Sequence, residues 1–322
     1  MSEQELRAQS IVHKPDVVSA LGVGMIQERQ RNPHIGVPTG IPSLDAVWPR
    51  MRPTELITVI ARPSNMKTSL MQWIARHEAS YIEANNLNSY VAYFTWEQAV
   101  EEMALYELAA MSGERVDRLA QGVIESPKTL LNCAIRRATL PLWVFGHSIA
   151  NRSRRPRLTL TDAIDALRYV EDTKAWGNMR PALIVMDYLQ RIRPERGRDA
   201  REQASTNVDR AKDLALEFTC PVVLGCQAGR QVDDRVIKLP RMGDGMETSN
   251  IEHSSDGIIT LWYAKTGMPI GSRVPEQLKL GPDLIVSQDL LLVSGPKRKL
   301  ASAGWVLPIR VDPARNQFQD WR

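Results

Sequence analysis

Residues 56–68 read Leu-Ile-Thr-Val-Ile-Ala-Arg-Pro-Ser-Asn-Met-Lys-Thr, an apolar β-branched run, then a turn, then a lysine and a hydroxyl where a helix would begin. Strand, turn and helix start in that order form the setting in which a loop cradles phosphate. The loop residues are Ala61, Arg62, Pro63, Ser64, Asn65, Met66, Lys67, Thr68 and Ser69. Backbone N–H groups and the helix dipole attract phosphate oxygens at such a point. Lys67 would reach the β- and γ-phosphates, and the Thr68 hydroxyl would sit on Mg²⁺. Against the pattern G-x-x-x-x-G-K-T, the chain has Ala61 and Met66 in place of both glycines. Met66 is the weightier change, because a Cβ there narrows the approach of backbone to phosphate.

Three further polar residues end apolar runs downstream. Ala182-Leu-Ile-Val-Met-Asp187 supplies a carboxylate suited to a metal's water shell. Tyr93-Phe-Thr-Trp-Glu97 supplies one that can accept a proton from an attacking water. Pro221-Val-Val-Leu-Gly-Cys-Gln227 ends in an amide able to sense a γ-phosphate and relay its presence to the loop that follows. Singly, each has a plainer role: Asp187 can cap a turn, and Glu97 can be a solvated residue at a helix start. Together they gather on the carboxyl edge of one sheet, where α/β proteins bind ligands.

The elements that must position them alternate. Strands are expected at 56–60, 90–95, 142–145, 182–186, 221–226, 257–263 and 290–294, with a hairpin-like end at 304–310. Helices are expected at 69–83, 98–111, within 115–139, at 161–170 with Thr159 or Thr161 as N-cap, and at 202–218. This alternation predicts an α/β fold with a mainly parallel, doubly wound sheet. Ahead of it, residues 15–30 form a short amphipathic helix with Val18, Leu21, Met25 and Ile26 on one face. That helix either packs on its own domain or docks in a groove of a neighbouring copy. Pro33 and Gly36-Val-Pro-Thr-Gly40 separate it from the rest, which divides the chain into 1–35 and 36–322.

Composition narrows the class. In 322 residues, 43% are hydrophobic and 24% charged, enough for a real core in a soluble protein. No apolar run approaches the roughly 20 residues that span a bilayer. The N-terminus lacks the basic-then-apolar pattern of a secretory signal. The three cysteines, Cys133, Cys220 and Cys226, lack zinc-site spacing and are expected to be buried thiols in a reducing compartment. A net charge of +4 is modest, so the position of the basic residues matters more. Arg191, Arg193, Arg196, Arg198 and Arg201 crowd one stretch, and Lys297, Arg298 and Lys299 another.

In these residues the chain resembles the DnaB-type replicative helicases and their RecA-like motor domain. Gly36-Val-Pro-Thr-Gly-Ile-Pro-Ser-Leu-Asp45 resembles that family's entry motif, and 61–68 its phosphate loop, which accepts Ala at the first position. Phe94-Thr-Trp-Glu97 matches the strand bearing its catalytic Glu, and Met186-Asp-Tyr-Leu-Gln190 the strand bearing its metal-linked Asp. Gln227 with Arg230 resembles the sensor segment, and the spacing from Asp244 through Ile251-Glu252 to Asp256 follows the block beyond it. The likeness runs over residues 14–322, without the family's separate N-terminal helical domain.

The resemblance implies an ATP- and Mg²⁺-dependent DNA helicase of a bacterium, plasmid or phage, acting in replication in the cytoplasm. It implies a homo-oligomeric ring, most often a hexamer, with nucleotide between neighbours and single-stranded DNA through the centre. Primase or a helicase loader would be further partners, and no membrane is involved. The helix at 15–30 becomes the counterpart of the interdomain linker helix. Arg193, Arg196, Arg198 and Arg201 resemble the first DNA-facing loop, and Arg230, Arg235, Lys238 and Arg241 the second. Such cations hold phosphates without reading sequence. Lys297, Arg298 and Lys299 occupy the place of a lysine and an arginine finger that act on the neighbour's γ-phosphate. By spacing from Gly304 the finger falls on Lys299, with Arg298 able to serve if the loop shifts; lysine lacks the guanidinium fork. Hydrolysis is expected to survive Met66, since Lys67, Thr68, Glu97 and Asp187 are all present. The rivals are a recombinase- or clock-type ATPase on the same fold, and a DNA-binding ring that uses ATP only to assemble.

Overall fold

A computed structural model describes residues 13–32, 35–150, 158–173, 179–193, 199–246 and 250–321. They fall into two units, 1–36 and 37–322. The first contains helix α1, Pro15–Arg31, started by a proline and ended at Asn32. None of its residues is buried: Val18, Leu21, Met25 and Ile26 are each more than half exposed.

Among the described residues the second unit has nine strands: β1 Leu56–Ala61, β2 Ser89–Thr95, β3 Leu142–Phe145, β4 Arg180–Asp187, β5 Val222–Gln227, β6 Gly257–Tyr263, β7 Leu290–Arg298, β8 Trp305–Asp312 and β9 Gln317–Asp320. They form one sheet in the order β3-β2-β4-β5-β1-β6-β7-β8-β9. The first six in that order run parallel, and β7, β8 and β9 extend the sheet antiparallel. All six residues of β1 are buried, as a strand covered on both faces requires. The other helices are α2 Pro42–Val47, α3 Lys67–Ala84, α4 Val100–Ser112, α5 Val116–Ala120, α6 Pro127–Thr139, α7 Leu160–Asp172, α8 Ala200–Glu217 and α9 Asn250–Ser254.

Two apolar cores follow from the pleat. Ile57, Val59 and Ala61 of β1 face one cluster with Leu70, Ile74 and Ala75 of α3. Leu56 and Ile60 face the other, with Leu167 of α7 and Val208, Ala211 and Leu214 of α8. Thr159 is the N-cap of α7: its hydroxyl accepts from Asp162 N–H while the Asp162 carboxylate accepts from Thr159 N–H at 2.8 Å. In the entry motif, Asp45 accepts from the Thr39 N–H at 2.6 Å, the Thr39 hydroxyl at 2.7 Å and the Gly40 N–H at 3.0 Å.

The C-terminal part departs from expectation. β7 continues to Arg298 instead of stopping at 294, and the hairpin gains a third strand, β9. Extension of β7 has a consequence for the basic triplet. Side chains alternate across a strand, so Arg298, the last residue of β7, points the opposite way from Lys297.

Candidate functional site

The sheet order sets the ends of β2, β4, β5 and β1 side by side. Thr95 pairs with Asp187 across β2 and β4, and Ala61 pairs with Gln227 across β1 and β5. The Trp96 N–H donates to Asp187 O at 2.9 Å, carrying that alignment one residue past β2. The Thr95 hydroxyl then closes a turn with Gln98, whose N–H donates to it at 3.1 Å, and this turn presents Glu97. A cleft of about 590 Å³ lies above, lined by residues 61–69 with Glu97, Gln98, Tyr106, Tyr188, Arg191 and Gln227.

The candidate phosphate loop turns through left-handed backbone at two positions that are not glycine. Met66 adopts φ 65° and ψ 16°, and Ser64 φ 62°, both in the left-handed region that glycine tolerates best. Met66 heads α3 from this conformation, and its side chain packs on the main core. Asn65 fixes the loop from beneath: its side chain donates to Pro63 O at 2.9 Å and accepts from Tyr263 N–H at 2.7 Å.

Lys67 does not extend freely into the cleft. Its ammonium lies 2.6 Å from Asp187 Oδ1 and 4.0 Å from the centre of the Tyr188 ring. Asp187 is 2% exposed, and its second oxygen accepts from the Tyr93 hydroxyl at 3.1 Å. Burial first, then the Asp187 charge, hold the Tyr93 phenol well above its ordinary range, so it remains a donor. A glycine makes this packing possible. A Cβ on Gly225 of β5 would lie 2.9 Å from Met71 Cε, 3.0 Å from Tyr188 Cβ and 3.1 Å from Lys67 Nζ.

Glu97 stays half-open to solvent, with Arg191 Nη2 at 3.7 Å from its Oε1. Arg191 also donates to the Tyr188 hydroxyl at 3.2 Å. Gln190 joins the ends of β4 and β5: its Oε1 accepts from Gln227 N–H at 3.0 Å, and its Nε2 donates to Met246 O at 3.0 Å. Among the described residues no cluster of three or more His, Cys, Asp or Glu is placed to hold a metal. Thr68 lines the cleft, whereas Asp187 is buried with both oxygens engaged by Lys67 and Tyr93, so it would reach an ion only through that ion's water shell, which Mg²⁺ keeps.

Several basic residues are placed differently from the sequence reading. Arg298 has a side chain with no solvent exposure, held by Glu55 (Nη1 to Oε2, 2.9 Å), by the carbonyls of Pro49 and Arg50 (3.2 and 3.1 Å) and by the Trp48 ring at 4.7 Å. Within this chain it acts as an internal strut. Lys297 donates inward to Glu252 O. Lys299 is the exposed member, two-thirds open, with Asp256 Oδ1 at 3.5 Å. Arg235 grips Asp244 with both terminal nitrogens, at 2.6 and 2.7 Å. Burial pushes the Asp244 carboxyl up, but the bonds from Arg235 and the Arg241 N–H outweigh it and leave the group below its ordinary value. The Arg62 guanidinium holds Asp233, with Nε at 3.0 Å and Nη2 at 2.6 Å from its carboxylate oxygens. Arg193, Arg230 and Arg241 are exposed, and Lys238 is half-buried. Arg196 and Arg198 lie outside the described residues, and Arg201 lies in α8 with its side chain undescribed.

The sequence reading passed over Tyr93, Tyr188, Gln190, Gly225 and Asp233. Only Gly225 left a signal, as a glycine inside an apolar strand, which marks close approach of another group. The fold and the strand-edge site define a RecA-like α/β domain with a phosphate loop. The model of the DnaB-like helicase C terminal domain matches residues 36–269, and the chain belongs to that family. It is 28% identical over 229 residues to the replicative DNA helicase DnaB of Geobacillus stearothermophilus, covering 70% of this chain and 47% of that protein. It is 27% identical over 274 residues to the DnaB of a Nostoc strain, covering 83% and 28%. This chain spans about half the length, or less, of these relatives. Its fold is similar to the ATPase domain of G40P, with TM-score 0.76, 18% identity, and 96% and 100% of the two chains covered. It is also similar to a DnaB-like replicative helicase whose structure was described with its interactions with primase, at TM-score 0.73, 18% identity, and 96% and 68% covered.

Proposed function

We propose that this chain is an ATP-dependent, ring-forming motor that moves along single-stranded DNA and unwinds duplex in replication. The observation that carries the reading is the gathering of Lys67, Asp187, Glu97 and Gln227 at one sheet edge, in register, around a phosphate loop. The loop amides and Lys67 would hold the nucleotide's phosphates; Thr68 and Asp187 would hold Mg²⁺, which supplies charge neutralisation when bound. Glu97, open to solvent, takes the proton of an attacking water. Gln227, bonded through its N–H to Gln190, connects the cleft to the segment beyond β5.

Lys299 supports action on a neighbour's site. Its N–H donates to Asp256 O, and the Asp256 N–H donates to Leu56 O, so it stands at the start of β1. The phosphate loop begins at the far end, about 17 Å away along the strand. Lys299 is thus the candidate for the trans cation, and Arg298 secures the strand that carries it. The uncovered apolar face of α1 supports a docked helix between copies. The domain exposes its own apolar pair, Leu131 and Ile135 on α6, which offers such a helix a seat. Primase or a loader remains a proposed partner, on the family's account. Arg193, Arg230, Lys238 and Arg241 would contact DNA phosphates.

The test is nucleotide-dependent unwinding of 5′- and 3′-tailed forks, with the oligomer sized in parallel and ATPase measured beside Lys67→Ala. Strand separation on one fork polarity, and hydrolysis lost in the variant, are the expected results. ATP binding and assembly without unwinding would favour a clamp, and equal hydrolysis by both proteins would sink the site.

A further inference from the structure

The segment after β5 is tied to the phosphate loop at two depths. At its root the Ala228 N–H donates to Ala61 O at 2.9 Å, which continues the pairing of β5 with β1. Farther out, Arg62 grips Asp233 with Nε at 3.0 Å from Oδ1 and Nη2 at 2.6 Å from Oδ2. Its remaining terminal nitrogen, Nη1, donates to Ala228 O at 2.9 Å. Between the two anchor points lies the single 3-10 turn Arg230–Val232. Beyond them Arg235 and Asp244 clamp the returning chain, and Lys238 lines a cleft of about 180 Å³ shared with Arg62, Asp233 and Asn65. Arg230, Lys238 and Arg241 therefore ride on a segment whose outer part is attached to the phosphate loop by one guanidinium fork.

A pair this open contributes little to folding: the Asp233 side chain is 47% exposed, and exposed ion pairs are weak. What a bidentate fork does supply is orientation. It ties the pose of one segment to the pose of another. Arg62 is the residue next to Ala61 in the loop, so any settling of the loop around a phosphate moves the base of that fork. Lys238 lines the same cleft as Asp233, so a second cation stands on the carboxylate's side of the fork.

We propose that Asp233 is a positioning residue: held by Arg62, it makes residues 228–241 follow the phosphate loop, so that phosphate occupancy sets the pose of Arg230, Lys238 and Arg241 toward nucleic-acid phosphates. This rests on reading residues 61–69 as the phosphate site.

Hydrogen exchange on the whole chain, with and without ADP and Mg²⁺, tests it in the wild type, Asp233→Ala and Asp233→Glu. In the wild type nucleotide slows exchange at 61–68 and, by at least about fivefold, at 229–241. Asp233→Ala keeps the protection at 61–68 and the nucleotide affinity but loses the response at 229–241, and Asp233→Glu restores it. In parallel, nucleotide changes the affinity for an oligo-dT strand in the wild type and in Asp233→Glu but not in Asp233→Ala. Protection of 61–68 with an unchanged response at 229–241 in Asp233→Ala would overturn the positioning role alone. No nucleotide protection at 61–68 in the wild type would overturn the phosphate-site reading and this role with it.

Discussion

Arg298→Ala separates an internal strut from a neighbour-reaching finger. In the structure this guanidinium has no exposed surface and faces Glu55, itself 6% exposed. Burial lowers the guanidinium's pKa, and Glu55 opposes that shift. Removing one partner of a buried ion pair costs about 3–5 kcal/mol, because the other charge is left uncompensated. Here Glu55 keeps a second cation, since Arg52 Nε donates to Oε1 at 2.7 Å and Arg52 N–H to Oε2 at 2.8 Å. That retained partner places the loss near the lower end. The two carbonyl contacts to Pro49 and Arg50 and the stacking on Trp48 add to it, so about 3 kcal/mol is expected. For a domain of this size the corresponding fall in Tm is about 5 °C. Denaturant unfolding followed by far-UV circular dichroism gives the number directly, with Lys299→Ala as the comparison. Lys299 is exposed, so its removal shifts stability by no more than about 0.5 kcal/mol. An Arg298→Ala variant as stable as wild type, yet unable to turn over nucleotide, would refute the argument and return Arg298 to the neighbour's site.

Three other outcomes are expected. Tyr93→Phe removes the donor to Asp187 Oδ2 and leaves a buried carboxylate oxygen unpaired, a loss of about 1.5–3 kcal/mol in thermal unfolding; no change would mean that water replaces the hydroxyl. Gly225→Ala drives a methyl against Met71, Tyr188 and Lys67, and costs about 1–3 kcal/mol together with nucleotide affinity; wild-type binding in a fluorescence titration would show the crowding to be harmless. Glu78, 5% exposed, has a carboxyl pushed up to about 7 by burial, with Arg50 opposing. The folded protein holds that proton more tightly than the unfolded chain does, so stability falls as pH rises from 4.5 through about 7. Glu78→Gln flattens that fall and is more stable by up to about 3 kcal/mol near pH 8; parallel stability–pH curves for the two proteins would contradict the shift.

Much of the fold could be read from apolar runs because a covered parallel sheet writes each strand as an unbroken stretch, as at 56–61 and 182–187. The polar residues ending those stretches were legible for the same reason: strand polarity sends every parallel strand's carboxyl end to one edge. What escaped depended on partners distant in sequence. Neither the partner of Arg235, Asp244, nor that of the loop residue Arg62, Asp233, can be told from the sequence alone. Tyr93 looked like one more apolar strand residue, and only the neighbouring β4 gave its hydroxyl a carboxylate. The burial of Arg298 escapes the apolar pattern because β7 runs four residues past its apolar run, and alternation along the strand then sets Arg298 on the opposite face from Lys297.

β1 carries the phosphate loop at Ala61, and at Leu56 it is bonded to the backbone that holds Lys299. It is buried throughout, flanked by parallel strands on both sides, and cross-linked by the Thr58 and Ser255 hydroxyls at 2.7 Å. A bar so constrained does not bend independently of the sheet. If copies assemble as proposed, with Lys299 reaching a neighbour's nucleotide, the number of residues in β1 would set the distance between one copy's phosphate loop and its reach into the next. Inserting or deleting a single residue there would be felt first as a mismatch between neighbours, in a protomer whose own phosphate loop is intact.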